Sequence, residues 1–76
     1  MKKAIIGIKG MDCASDAVNI ERSLLKVKGV KSAVVNYMIR EGFVDLSNNV
    51  TEEKLKAAIK RVGYEVTDVR FEEAEK

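Results

Sequence analysis

Two stretches with helical spacing, each closed by a glycine, lie among four stretches of period-two spacing, and in a chain of 76 residues that order leaves few packings open. Ala4, Ile6 and Ile8 alternate with Lys3, Gly7 and Lys9 while Ile5 breaks the polar side, so the first run predicts a largely buried strand ending at Gly10. From Cys13 the period changes. Cys13, Ala17, Ile20, Leu24 and Val27 recur every three or four residues, the stripe of an amphipathic helix that Gly29 stops. Asp12 precedes that helix and reads as its N-cap, accepting a bond from the free amides of the first turn.

Ala33, Val35 and Tyr37 alternate with Ser32, Val34 and Asn36, and beyond Arg40-Glu41 the set Gly42, Val44 and Leu46 alternates with Phe43 and Asp45. A hairpin follows from this pair of runs. Asn48-Asn49 reads as a turn and Thr51 as the next N-cap, with Glu52 and Glu53 in a first turn where carboxylates favour the helix dipole. The apolar face of this second helix is Leu55, Ala58, Ile59 and Val62; Lys60 and Arg61 occupy its last turn and Gly63 supplies a left-handed C-terminal cap. Tyr64 and Val66 open a fourth strand whose alternation slips at Thr67-Asp68, predicting a bulge or bend before Val69 and Phe71.

The expected architecture is α+β: a ferredoxin-like βαββαβ sandwich, with a four-stranded antiparallel sheet and two helices on one face. One domain covers residues 1–71, and residues 72–76 form an acidic tail expected to fray. A chain this short buries only about 60% of its unfolded surface and cannot support two cores.

Composition narrows the function classes. The 14 basic and 12 acidic residues are interspersed and nearly cancel, which argues against a nucleic-acid or membrane surface. Lys26, Lys28 and Lys31 cluster around a turn and read as a solvated rim. Two Tyr and two Phe, with no basic-aromatic consensus on any strand, disfavour an RNA-binding sheet. The absence of histidine and of a nucleophile paired with a base disfavours an enzyme. A single cysteine makes no intramolecular disulfide, and the apolar run from Ala4 to Ile8 is too short for a signal peptide, so a cytoplasmic setting is expected. The sequence holds no run of about 20 apolar residues, so no membrane-spanning helix is expected in it.

Chemistry concentrates in Gly10-Met11-Asp12-Cys13-Ala14-Ser15-Asp16. Cys13 and Asp16 are three apart, so on one helical turn a thiolate and a carboxylate are neighbours and can share an ion. Asp12 adds a further oxygen if capping does not claim it. Each residue has a plainer reading. Spacing alone favours Cys13 as packing on the apolar stripe. Asp12 and Asp16 also suit a helix's first turn without any ligand, and Met11 suits a plug beneath the loop.

Gly10-Met11-Asp12-Cys13, followed by Ile20-Glu21, Leu24, Gly29-Val30, Ala58-Ile59 and Gly63-Tyr64, resembles the heavy-metal-associated domain family from about Ile6 to Val66. That family comprises cytoplasmic copper chaperones, a periplasmic mercury carrier and the N-terminal modules of metal-pumping P-type ATPases. Its usual motif is Gly-Met-x-Cys-x-x-Cys, with both cysteines as ligands. Here Asp16 stands where the second cysteine would be. The resemblance therefore implies a metal site of Cys13, Asp16 and Asp12, atypical for the family. Exchanging a soft thiolate for a hard carboxylate disfavours copper(I) and suits zinc, cadmium or lead. Members resembling zinc and cadmium pumps tend to carry Asp before the first cysteine, which makes Asp12 a candidate third ligand beside its reading as a cap; a fourth position stays open to water or a partner. Tyr64 stands where chaperones have lysine and ATPase modules an aromatic, so the resemblance implies an ATPase-type module.

The function so implied is binding and transfer of a heavy-metal ion, zinc or cadmium before copper, as a metallochaperone or P-type ATPase module. Its partners would be a metal-transporting ATPase or another metal-exchange domain, and it would act as a monomer or as a dimer whose two Cys13 thiolates share one ion. The alternative is a descendant that has lost the metal and keeps the fold as an interaction or regulatory module.

Overall fold

A computed structural model describes residues 2–47 and 50–73. Its elements follow the expected order: β1 (Lys2–Lys9), α1 (Ala14–Leu25), β2 (Val30–Asn36), β3 (Glu41–Leu46), α2 (Glu52–Arg61) and β4 (Glu65–Glu73). The four strands form one sheet in the order β2-β3-β1-β4, every neighbouring pair antiparallel. Both helices pack on one face, α1 against β2 and α2 against β4. This is the ferredoxin-like sandwich that the alternation of periods predicts.

Ala4, Ile6 and Ile8 of β1 and Val44 and Leu46 of β3 meet Ile20 and Leu24 of α1 and Leu55 and Ile59 of α2 in a core that water barely reaches. At about 25 cal/mol per Å² of apolar surface removed from water, this layer is the main source of stability. Ser23, buried between the helices, donates to the Ala58 carbonyl oxygen at 2.6 Å and ties α1 to α2. Glu21 reaches from α1 to the edge of the sheet, where its carboxylate accepts the Val35 N–H at 2.8 Å. That contact occupies one amide of edge strand β2 that would otherwise be open to another chain.

Several local expectations hold. Thr51 caps α2, its Oγ1 accepting from the Lys54 amide at 3.4 Å, and Gly63 adopts the left-handed conformation beyond the helix end at φ 93°. The β1–β4 register runs from Gly7↔Asp68 to Ile8↔Val66, leaving Thr67 as the extra residue of a bulge. A side chain at position 7 would collide with Thr67 Oγ1 and Asp68 Oδ1, so the bulge folds over the strand where only glycine leaves room.

Other expectations are corrected. α1 ends at Leu25 rather than running to Val27, which packs partly buried in the turn that follows. Tyr37 falls in the β2–β3 turn, closed by Arg40 at φ 59°, instead of continuing the strand. Val62 is 39% exposed, because α2 stops at Arg61. β4 runs to Glu73, with Glu72 opposite Lys3 and Glu73 opposite Lys2, so the first two residues expected to fray are paired in the sheet. The Asn48-Asn49 turn and residues 74–76 of the tail lie outside the described residues.

Candidate metal centre

Strand β1 delivers the chain to Gly10, whose φ of 103° turns it toward the helix layer. Met11 then drops into the core, 6% exposed, and fixes the loop from below as expected of a plug. Asp12 and Cys13 follow on the surface. The N-cap of α1 is Cys13, in extended conformation, and not the expected Asp12. The carboxylate of Asp16, three residues into the helix, turns back and accepts from the Asp12 amide at 2.8 Å and the Cys13 amide at 3.3 Å. These amides precede the helix and have no partner in its ladder, so a carboxylate at the third helical position that reaches back satisfies them from within the first turn.

Cys13 is exposed, because the N-cap lies one residue outside the apolar stripe that its spacing suggested. Packing is therefore excluded as its role, and the thiol stands at the surface. Cys13 Sγ lies 3.9 Å from Asp16 Oδ2, so the thiol and the carboxylate do face one space. Asp12 does not join them: it lines a cleft of about 580 Å³ with Lys9, Arg40 and Asp68, to which neither Cys13 nor Asp16 contributes. Among the described residues no three acidic, cysteine or histidine side chains converge as a ready metal cage. The three-ligand set implied by the resemblance is thus assembled only as a pair.

One partner in this site was not foreseen. The hydroxyl of Tyr64, half-buried between α2 and β4, donates to Asp16 Oδ1 at 2.5 Å. Both oxygens of Asp16 are thereby engaged, Oδ1 by the phenol and Oδ2 by the two amides. Foremost the phenol, and then the Asp12 amide, hold the Asp16 carboxyl below its ordinary pKa, with burial opposing them. The same bond raises the Tyr64 phenol above its ordinary value, helped by burial and by the negative charge of Asp16. The sequence signal for this contact was Tyr64 itself, at the position where the resemblance puts a lysine in chaperones and an aromatic in ATPase modules.

A protein-family model for the heavy-metal-associated domain matches residues 5–65. The chain belongs to the heavy-metal-associated domain family. Among its relatives, a probable copper-transporting ATPase, PacS, of Synechocystis sp. is 39% identical over 57 residues, 75% of this chain but 8% of the ATPase. The copper chaperone CopZ of Staphylococcus epidermidis is 39% identical over 69 residues, 87% of this chain and 98% of the chaperone. The chain therefore spans a small fraction of the ATPases it matches and nearly the whole of the chaperone.

Solved structures agree. A CopZ metallochaperone superposes with a TM-score of 0.82 at 30% identity, covering 86% of this chain and 98% of that one. The N-terminal domain of PacS from Synechocystis gives a TM-score of 0.76 at 32% identity, covering 93% and 97%. The names of these relatives specify copper, where the Asp-Cys-x-x-Asp pattern of this heavy-metal-associated domain pointed to zinc or cadmium. No helix among the described residues is long and apolar enough to cross a membrane.

Proposed function

We propose that this heavy-metal-associated domain takes up and passes on a soft metal ion through a single protein ligand, the Cys13 thiolate, and that the ion is copper(I). The observation that carries this is the exposed thiol at the mouth of the fold in a chain whose family relatives are copper chaperones and copper ATPases. Copper(I) wants two soft donors, and this chain offers one at its site. The second then comes from another molecule: the cysteine of a second copy, or a thiolate of a metal-transporting ATPase or another metal-exchange domain. A one-thiolate site holds copper loosely between transfers, which suits exchange better than storage. The domain would act in the cytoplasm, where thiols stay reduced, and would carry the ion without transforming it.

The 3.9 Å between Cys13 Sγ and Asp16 Oδ2 favours a second reading. A tetrahedral ion with bonds of about 2.3 Å to sulfur and about 2.1 Å to oxygen sets those two atoms about 3.6 Å apart. In this reading zinc or cadmium sits between them once Asp16 gives up hydrogen bonds it now makes, with water or a partner's ligand filling the remaining positions.

Copper(I) competition against a chromophoric chelator, on reduced wild type and Cys13→Ser, tests the main reading. Wild type should withdraw copper and the variant should not. Equal withdrawal by both would remove Cys13 from the site, and withdrawal by neither would leave the fold as an interaction module.

A further inference from the structure

The one feature that separates the two metal readings is the state of the Asp16 carboxylate, and the residue that governs it comes from the far end of the chain. Oδ2 faces the thiol but is taken by the amides of Asp12 and Cys13 at 2.8 and 3.3 Å. Oδ1 is taken by Tyr64 Oη at 2.5 Å. A carboxylate fixed at both oxygens cannot rotate toward an ion without breaking charge-assisted hydrogen bonds, each stronger than a neutral one. The Tyr64 ring is itself placed by the core, against which it packs partly buried.

We infer that Tyr64 is a specificity-determining positioning residue, whose hydroxyl keeps the Asp16 carboxylate turned to the loop amides and so withholds the oxygen ligand that a zinc- or cadmium-class ion would need. Cys13 is then left as a lone soft donor, which favours copper(I) paired with an external thiolate. The inference rests on the metal-handling role proposed above. It assigns discrimination between ions to a phenol that need not touch any of them.

Substituting Tyr64→Phe keeps the ring and removes only the hydroxyl, so the core should survive. With Oδ1 free, only the amide bonds to Oδ2 still hold the carboxylate, so it turns more readily to offer an oxygen to the ion beside Cys13. Zinc and cadmium affinities, read by chelator competition, should rise about tenfold, the scale of one charge-assisted hydrogen bond released, while copper(I) affinity stays within about twofold. The gain should vanish in the double variant Tyr64→Phe/Asp16→Asn, which a general loosening of the loop would not predict. A metal-free readout accompanies it: ¹⁵N-detected hydrogen exchange at the Asp12 and Cys13 amides should quicken in Tyr64→Phe as Asp16 gains freedom. Unchanged or weaker zinc and cadmium binding in Tyr64→Phe, or a gain that persists in the double variant, overturns the inference. Failure of the underlying function reads differently, as copper binding that is indifferent to Cys13→Ser.

Discussion

Cys13 Sγ and Asp16 Oδ2 stand 3.9 Å apart across the first turn of α1, a thiol facing a carboxylate whose oxygens are already hydrogen-bonded. The separation suits a shared ion, whereas the hydrogen bonds hold the acid in a structural role. The behaviour of the site follows from which of these prevails.

Cys13→Ser should leave the fold intact. The side chain is exposed and outside the core, so the change in unfolding free energy should stay within about 0.5 kcal/mol. Urea denaturation checks it. A larger loss would mean the thiol contributes packing that its exposure denies.

Asp16→Cys should restore a two-thiolate motif and raise copper(I) affinity at least about tenfold, because a soft donor replaces a hard one. It should also lower the melting temperature of the metal-free protein, since the amides of Asp12 and Cys13 and the hydroxyl of Tyr64 lose their acceptor. Copper titration and thermal melting measure the two effects separately. A gain in affinity without loss of stability would show that the carboxylate network holds nothing together.

Acid should weaken the fold through Asp16. Its folded pKa lies below the ordinary 3.8, owing first to the Tyr64 hydroxyl, so its stabilising effect is complete above that value and is lost as pH falls through the lower folded one. Tyr64 has the opposite sense. Its pKa is raised above 10.0, so its contribution is complete below that value and is lost as pH climbs through the folded one. Between these limits the pair should give a flat stability profile. Denaturation midpoints against pH should show Asp16→Asn with a smaller acid loss than wild type and Tyr64→Phe with a smaller alkaline loss.

Gly29→Ala should cost about 2 kcal/mol or more. The backbone there has φ 101°, and an added Cβ would lie 2.6 Å from Val50 Cγ2 and 2.9 Å from Ser47 Oγ. By contrast Gly63→Ala, with open space around the added carbon, should cost only its backbone strain, roughly 1 kcal/mol. Chemical denaturation of the two variants side by side checks the difference.

The sheet and helices were legible because each element announces itself locally. The change of period at Cys13, the Thr51 cap, the closing Gly63 and the slip at Thr67-Asp68 all depend on near neighbours, and all appear in the fold. The helix start was misjudged by one residue for a reason that is also local. Cys13 takes the N-cap position, and Asp16 from inside the helix reaches back to the amides of Asp12 and Cys13. That shift moved Cys13 from the apolar stripe to the surface. The Tyr64–Asp16 bond joins residues 48 apart and could not be read from any spacing. It exists because the α2–β4 junction and the β1–α1 loop meet at the same end of the sandwich.

Native mass spectrometry of the reduced protein with copper(I), in the absence of other thiols, tests the central claim most directly. With one soft donor per chain, copper should appear as one ion bridging two chains, and both ion and bridge should disappear in Cys13→Ser. Copper held one per monomer at equal strength by wild type and Cys13→Ser, or no copper bound at all, would contradict it.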